Sequence, residues 1–304
     1  MVMPRSSLKK FKIFFIGKFS KMHDEEYIAR SFESIGCEVF RCPENHTPAE
    51  IKEALVRLSP DMLLYTKWEC PRELDETISL LKRGGMVTVC WVFDLYWGYP
   101  REYQVHNKKF FRSDFVFTTD GGHDEQWRAV GINHRTIRQG IYKEECFLAP
   151  GQGFENDVVF VGSESPVYPE RTNKVLLISQ TFRRFAWYGR HDTDEARGTR
   201  LNEIFAQSKV VVGDSYPSPH YWSNRIVETL GRGGFLIHRD VEGLKKEYPY
   251  LVTYNGTDGD LINKVKYYIE HDKEREEIRQ ANFEWVRDNY TMDKKCQELL
   301  NYIS

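Results

Sequence analysis

Apolar residues along the chain fall into short dense runs, separated by stretches in which they recur every three or four positions. The runs predict buried strands and the spaced stretches predict amphipathic helices. A strand over 11–16 ends at Gly17. A helix over 23–35 follows, with Tyr27, Ile28, Phe32 and Ile35 on one face and Gly36 as its stop. Strands at 38–40, 61–65, 86–92 and 114–117 alternate with helices at 47–58, 71–82 and 124–130. The second helix carries Thr47 as N-cap, Pro48 at its first position and Glu50 three residues after the cap. Strand-helix alternation of this kind implies a parallel sheet covered on both faces.

A turn-rich stretch from Gln139 to Asn156 interrupts the rhythm with Pro150, Gly151 and Gly153. The alternation then restarts, with strands at 158–161, 185–188, 209–212 and 235–237 and helices at 170–179, 200–207 and 223–230. Three helices at 258–270, 272–289 and 292–303 close the chain. The expected class is α/β, with two facing Rossmann-like domains. The expected divisions are 1–140, a linker over 141–156, a second domain over 157–285, and a final helix over 286–304 packing back towards the first domain.

Composition narrows the function. The 304 residues carry 43 Lys and Arg against 45 Asp and Glu, a net charge of −2. That balance argues against a histone-like or ribosomal-type protein, whose affinity comes from a large basic excess. The six cysteines are scattered and none forms Cys-x-x-Cys, so neither a zinc site nor a disulfide framework is expected. No run approaches the 18 apolar residues of a membrane span, and the N-terminus lacks the apolar core of a secretory signal. A cytoplasmic protein with reduced thiols is expected.

Several motifs are missing. Gly17 and Gly162 each end a first strand alone, without Gly-x-Gly-x-x-Gly, which removes most support for a dinucleotide dehydrogenase. There is no Gly-x-x-x-x-Gly-Lys-Ser/Thr, no His-Glu-x-x-His and no Gly-x-Ser-x-Gly. Sheets of this type still suit a nucleotide beyond the carboxyl ends of their strands.

The run from Tyr221 to Ile237 is the most informative. Ser223 is expected to cap a short helix whose free N–H groups face an anion. Arg225 stands in the first turn, where a cation is otherwise unfavourable, and a diphosphate partner explains it. Glu228, three residues on, suits two ribose hydroxyls; equally, Arg225 and Glu228 suit pairing with each other. The pattern Arg225-x-x-Glu228-x-x-x-x-Gly233-Gly234 before an apolar strand resembles the donor-site signature of group 1 glycosyltransferases, closest to the spore-maturation-protein-type subgroup. The segments 156–163, 204–212 and 261–291 resemble the same subgroup, so the similarity covers residues 156–303 well and the first half loosely.

That resemblance implies a GT-B fold, with acceptor held by the first domain and a nucleotide-diphosphate sugar by the second. UDP-sugar is the first expectation, as a co-substrate with no covalently bound cofactor. It further implies that Arg225 holds the diphosphate and Glu228 the ribose. Gly162 and Ser163 would admit the phosphates, and Tyr188 and Gly189 would line the base pocket. Asn224 and Ser223 belong to the same helix start. Many group 1 enzymes carry a second Glu eight residues before the ribose Glu; His220 occupies that position here. Metal independence is expected, because Arg225 would stabilise the leaving diphosphate.

If the reaction inverts the anomeric centre, a base must take the acceptor proton. Asp94, directly after the most apolar strand, is the leading candidate, although a turn residue also fits there. His23, next to Asp24 and Glu25, and His123, in the turn from Asp120 to Asp124, are the others; both positions also suit helix capping. Retention needs no such base. On the acceptor side, Gly17, Lys18 and Asp120 follow strand ends, and Trp97 offers a face for a sugar ring or for packing. The acceptor is left open: a glycan, a lipid-linked sugar, a metabolite, a protein or a modified base in DNA. Lys9, Lys10, Lys12, Lys18 and Lys21 with Lys108, Lys109 and Arg112 would favour DNA, as in a hydroxymethylpyrimidine-type DNA-base glycosyltransferase, only if they converge on the cleft. A non-catalytic nucleotide-sugar binding protein and a sugar-nucleotide epimerase are the competing classes.

Overall fold

The computed structural model describes residues 10–21, 23–151, 153–164, 168–190 and 196–304. The first six strands are β1 (Lys12–Gly17), β2 (Glu38–Pro43), β3 (Met62–Tyr65), β4 (Val87–Trp91), β5 (Phe115–Thr118) and β6 (His134–Thr136). They form one parallel sheet in the order β2-β1-β3-β4-β5-β6. Strand geometry sends alternate side chains to opposite faces. Ile13 and Phe15 therefore enter one core and Phe14 and Ile16 the other. The helices between them are α1 (Asp24–Ser34), α2 (Pro48–Leu58), α3 (Asp75–Arg83), α4 (Tyr103–Asn107) and α5 (Asp124–Ala129). Thr47 and Glu50 form a reciprocal capping box at the start of α2. The helix expected over 71–82 divides into a 3₁₀ turn at Arg72–Leu74 followed by α3.

The second sheet contains β7 (Asn156–Val161), β8 (Phe185–Tyr188), β9 (Ser208–Gly213), β10 (Leu236–Arg239) and β11 (Val252–Tyr254), in the order β11-β10-β9-β7-β8 and again parallel. Around it lie α6 (Pro169–Thr181), α7 (Thr199–Ala206), α8 (Arg225–Gly231), α9 (Leu244–Glu247), α10 (Asp258–Glu270) and α11 (Asp272–Asn289). The last helix, α12 (Met292–Ile303), joins the first domain, where Met292, Cys296 and Leu299 pack with Ile28 and Phe32 of α1.

The chain passes between the domains twice, and the two passages are bonded together. The Ile141 N–H donates to Tyr290 O at 2.9 Å and the Met292 N–H to Ile141 O at 2.7 Å. Gly140 makes this possible: a Cβ there would lie 2.6 Å from the Thr291 carbonyl carbon.

Each sheet has a point where strand order reverses, between β1 and β3 and between β7 and β9. Ligands of open parallel sheets bind beyond the carboxyl ends of the strands at such points.

Candidate active site

Two cavities lie where those reversal points meet. One, about 110 Å³, is lined by Asp94, Tyr99 and Arg101 from the first domain and by Arg171, Asp214, Tyr221 and Arg225 from the second, among others. The other, about 440 Å³, lies against the ends of β1, β3 and β4, with Lys18, Asp24, Thr66, Lys67 and Phe93 in its wall. Asp94 is the single residue common to both linings.

Arg225 is anchored at the end of β7. Its Nε donates to Val161 O at 2.9 Å and its Nη1 lies 3.4 Å from Ser223 Oγ. Gly162 follows, with its N–H on Tyr188 O at 2.9 Å and its carbonyl receiving Trp187 Nε1 at 2.7 Å. Arg171, in the first turn of α6, donates to Ser163 O at 2.9 Å. Among the described residues, neither Arg171 nor Arg225 has a carboxylate in ion-pair contact. Burial, with Arg171 nearby, pulls the Arg225 guanidinium down to about 10. Desolvation likewise lowers Arg171. Two cations with Asp214 across the cavity but no carboxylate in direct contact form a site for an anion.

The loop after β9 is held by a chain of neutral hydrogen bonds. His238 Nδ1 lies 2.7 Å from Arg239 O, which only accepts, so Nδ1 carries the proton. Nε2 then accepts from Ser215 Oγ at 3.0 Å, and Ser215 Oγ accepts the Ser223 N–H at 3.0 Å. Burial pushes His238 down to about 4. Asp214 accepts the Tyr168 hydroxyl at 3.0 Å, which in turn receives Arg239 at 3.2 Å. Desolvation raises the Asp214 carboxyl above its ordinary range.

The helix start differs from the sequence expectation. α8 begins at Arg225 with Asn224 at the cap position, and neither Ser223 nor Asn224 caps it through a side chain. The Ser223 N–H is tied to Ser215, and the Asn224 amide donates to Gln139 at 3.1 Å. Gln139 continues to Asp24 at 3.1 Å, so the two domains are linked beside the larger cavity. Arg225 and Glu228 do not pair. Glu228 instead pairs with Arg232, which also pairs with Glu145, and Glu145 receives the Tyr27 hydroxyl at 2.5 Å. Desolvation raises the Glu228 carboxyl.

Asp94 is held by Lys67 on one oxygen and by Arg101 Nη1 at 2.7 Å on the other. Lys18 lines the larger cavity and lies 3.3 Å from Glu44. Gly17 packs against the Glu25 side chain. His23 precedes α1 without capping it through its ring, and it is Asp24 that faces the cavity. The remaining expectations fall outside both linings. His123 pairs with fully buried Asp120, whose other oxygen accepts the Trp97 N–H at 3.2 Å. Trp97 is core, edge-on to Trp127 at 5.7 Å and to His106 at 5.9 Å, and offers no floor for a sugar. Tyr188 packs into the second domain's core and Gly189 lies against Gly162. His220 adopts a left-handed φ of 52° and turns its ring towards Glu242, 3.5 Å away. Its carbonyl receives Arg138, which stacks 3.8 Å over Trp222 and pairs with Glu247 at 2.5 Å.

The basic residues do not converge. Lys12 starts β1 and reaches Leu58 O, whereas Lys18 lies past the other end of that strand. Lys108 lies 3.5 Å from Glu69, and Lys109 and Arg112 donate to backbone carbonyls. Lys9 lies outside the described residues. Arg171, Arg101, Asp214 and Arg138 are additions from the structure. Arg171 had a legible signal, the same as Arg225: a cation in the first turn of the helix that follows a strand of the second sheet.

Solved structures share this architecture. An α1,3-fucosyltransferase with GDP-fucose superposes with a TM-score of 0.51 at 11% identity, over 100% of this chain and 93% of that one. The N-terminal domain of Candida albicans trehalose-6-phosphate phosphatase gives 0.54 at 9%, over 97% and 96%. An α,α-trehalose-phosphate synthase (UDP-forming) from Burkholderia xenovorans gives 0.51 at 10%, over 84% and 77%. The fold is GT-B. Residues 154–301 match the family model described as glycosyl transferase-like, which spans the whole second domain and most of α12. No curated protein is significantly similar in sequence. Among the described residues no helix is long and apolar enough to cross a membrane.

Proposed function

We propose that this chain is a glycosyltransferase, of hexosyltransferase type, that moves a sugar from a nucleotide-diphosphate donor to an acceptor hydroxyl. The observation that carries the reading is the pair Arg171 and Arg225. Two guanidiniums without a carboxylate in ion-pair contact among the described residues stand at the carboxyl end of β7, in a cleft facing the other domain. The family match over residues 154–301 supports the same reading. The pattern at 225–234 favours the spore-maturation-protein-type subgroup, and a UDP-sugar remains the first donor to test.

In this reading Arg171 and Arg225 receive the diphosphate and offset the charge that develops on it as the glycosidic bond breaks, the task a divalent cation performs elsewhere. Ser223, held by Ser215 and His238, keeps Arg225 in place. Glu228, oriented by Arg232, meets the ribose. The acceptor occupies the larger cavity, and Asp94, at the junction of both, is the carboxylate placed to take its proton if configuration inverts. The dispersed lysines weigh against DNA as acceptor and leave a glycan, a lipid-linked sugar, a metabolite or a protein.

The test is a thermal-shift screen against UDP-, GDP-, ADP-, dTDP- and CMP-sugars, with Arg225→Ala in parallel, followed by donor turnover across an acceptor panel. A selective shift lost in the variant, with acceptor-dependent release of the nucleotide, is expected. Binding without turnover would identify a non-catalytic nucleotide-sugar protein. Conversion of the donor without acceptor would identify an epimerase.

A further inference from the structure

The smaller cavity contains three arginines, and among the described residues only one of them, Arg101, belongs to a salt bridge. Arg101, from the segment between β4 and α4, sits 2.7 Å from Asp94 Oδ1, while Lys67 holds the other carboxylate oxygen. Asp94 thus keeps a cation if Arg101 leaves. The cavity's second carboxylate, Asp214, is connected to Arg239 through the Tyr168 hydroxyl. Each carboxylate therefore has a partner besides the cavity's arginines, Lys67 for Asp94 and the Tyr168 hydroxyl for Asp214, so three guanidiniums face two carboxylates that are already partly answered and an anionic ligand can draw on the rest of their charge.

The surroundings place Arg101 opposite the other two. Its guanidinium carbon lies 5.1 Å from the centre of the Tyr99 ring, and Tyr99 crosses the cleft to meet Tyr216 edge-on at 4.8 Å. Tyr221 stands between the domains; burial and the charge of Asp94 push its hydroxyl up to about 12, with Arg225 and Arg101 opposing.

We propose that Arg101 is a third guanidinium for the donor diphosphate, supplied by the first domain: when the donor binds, Arg101 exchanges Asp94 for the phosphates and joins Arg171 and Arg225. The donor's own charge then draws the domains together, and Asp94 gives up one of its two cations while Lys67, in the wall of the acceptor cavity, keeps the other oxygen. The inference rests on reading the cavity as a diphosphate site.

The experiment is calorimetric titration of UDP and of inorganic pyrophosphate into wild type, Arg225→Gln, Arg101→Gln and Arg101→Lys, at two salt concentrations. Loss of binding in Arg225→Gln is expected. A loss of about tenfold is expected in Arg101→Gln, the effect of one charge-assisted contact, with partial recovery and a restored salt dependence in Arg101→Lys. Full affinity in Arg101→Gln, with binding lost in Arg225→Gln, would overturn the role of Arg101 and leave the diphosphate reading standing. Absence of binding in wild type, or full affinity in Arg225→Gln, would overturn both. Should Arg101→Gln fail to fold, Asp94→Asn decides. Freeing Arg101 should tighten UDP, and unchanged or weaker binding would refute the exchange.

Discussion

The Arg225 guanidinium lies so close over Gly162 that a Cβ added to the glycine would sit 2.5 Å from it. Gly162 also holds a φ of 147°, which side-chain-bearing residues rarely adopt. Gly162→Ala therefore acts on the donor through Arg225 without removing its charge. Strain of about 1–3 kcal/mol is expected at that backbone position, together with at least tenfold weaker nucleotide-sugar binding. Titration beside a denaturation curve separates the two effects.

Arg232 is enclosed between two carboxylates, Glu145 and Glu228, with its own side chain 3% exposed. Removing it strands two acids that no other described residue pairs with in a salt bridge. Arg232→Met should lower stability by about 3–5 kcal/mol, whereas Glu228→Gln, which keeps a hydrogen-bond partner, should lower it less. Urea denaturation of the two variants gives the comparison. If Glu228→Gln is the more harmful, the network is not organised by the arginine.

His238 makes stability depend on pH. Unfolded, it takes a proton near its ordinary 6.5; folded and buried, only near 4. Between those values the unfolded chain binds more protons, so stability falls as pH drops from 6.5 towards 4, by about 3 kcal/mol at most. Glu228 and Asp214, with raised carboxyl groups, act in the opposite direction, so the informative quantity is a difference. His238→Gln should be less stable at neutral pH, and its deficit relative to wild type should shrink as pH falls across that window, as read from unfolding free energies at several pH values.

Charge on the leaving diphosphate falls to arginines in this reading, so chelation of divalent metal should leave transfer unchanged while Arg171→Gln abolishes most of it. Initial rates with and without EDTA, on wild type and variant, check both halves. A chelator-sensitive wild type would place a metal in the mechanism.

Much of this architecture can be read from residue order, because parallel strands buried on both faces must be continuous apolar runs. Thr47, Pro48 and Glu50 specify the start of α2 locally, and the structure places the helix there. What escapes are elements too short for a period to show: five residues in α4, three in β6 and three in β11. The site is harder to read for a different reason. Arg225 stands out by its position on a helix, but Glu228 meets Arg232 and Glu145, and the latter lies 83 residues earlier in the chain. Trp97 has the right chemistry for a sugar, yet it is buried in the core against Trp127, thirty residues away. No local pattern announces such partners.

The double passage at Ile141 and Met292 also sets an order of events during synthesis. One side of the first sheet, with Ile13, Phe15, Ile28 and Phe32, finds its cover in Met292, Cys296 and Leu299. A nascent chain emerging from the ribosome therefore completes the second domain while the first still shows an oily flank, and that flank closes only once α12 has followed. Domains made vectorially usually finish in chain order. Here the domain that begins first is sealed after the second, which makes α12 a checkpoint for the integrity of the first domain.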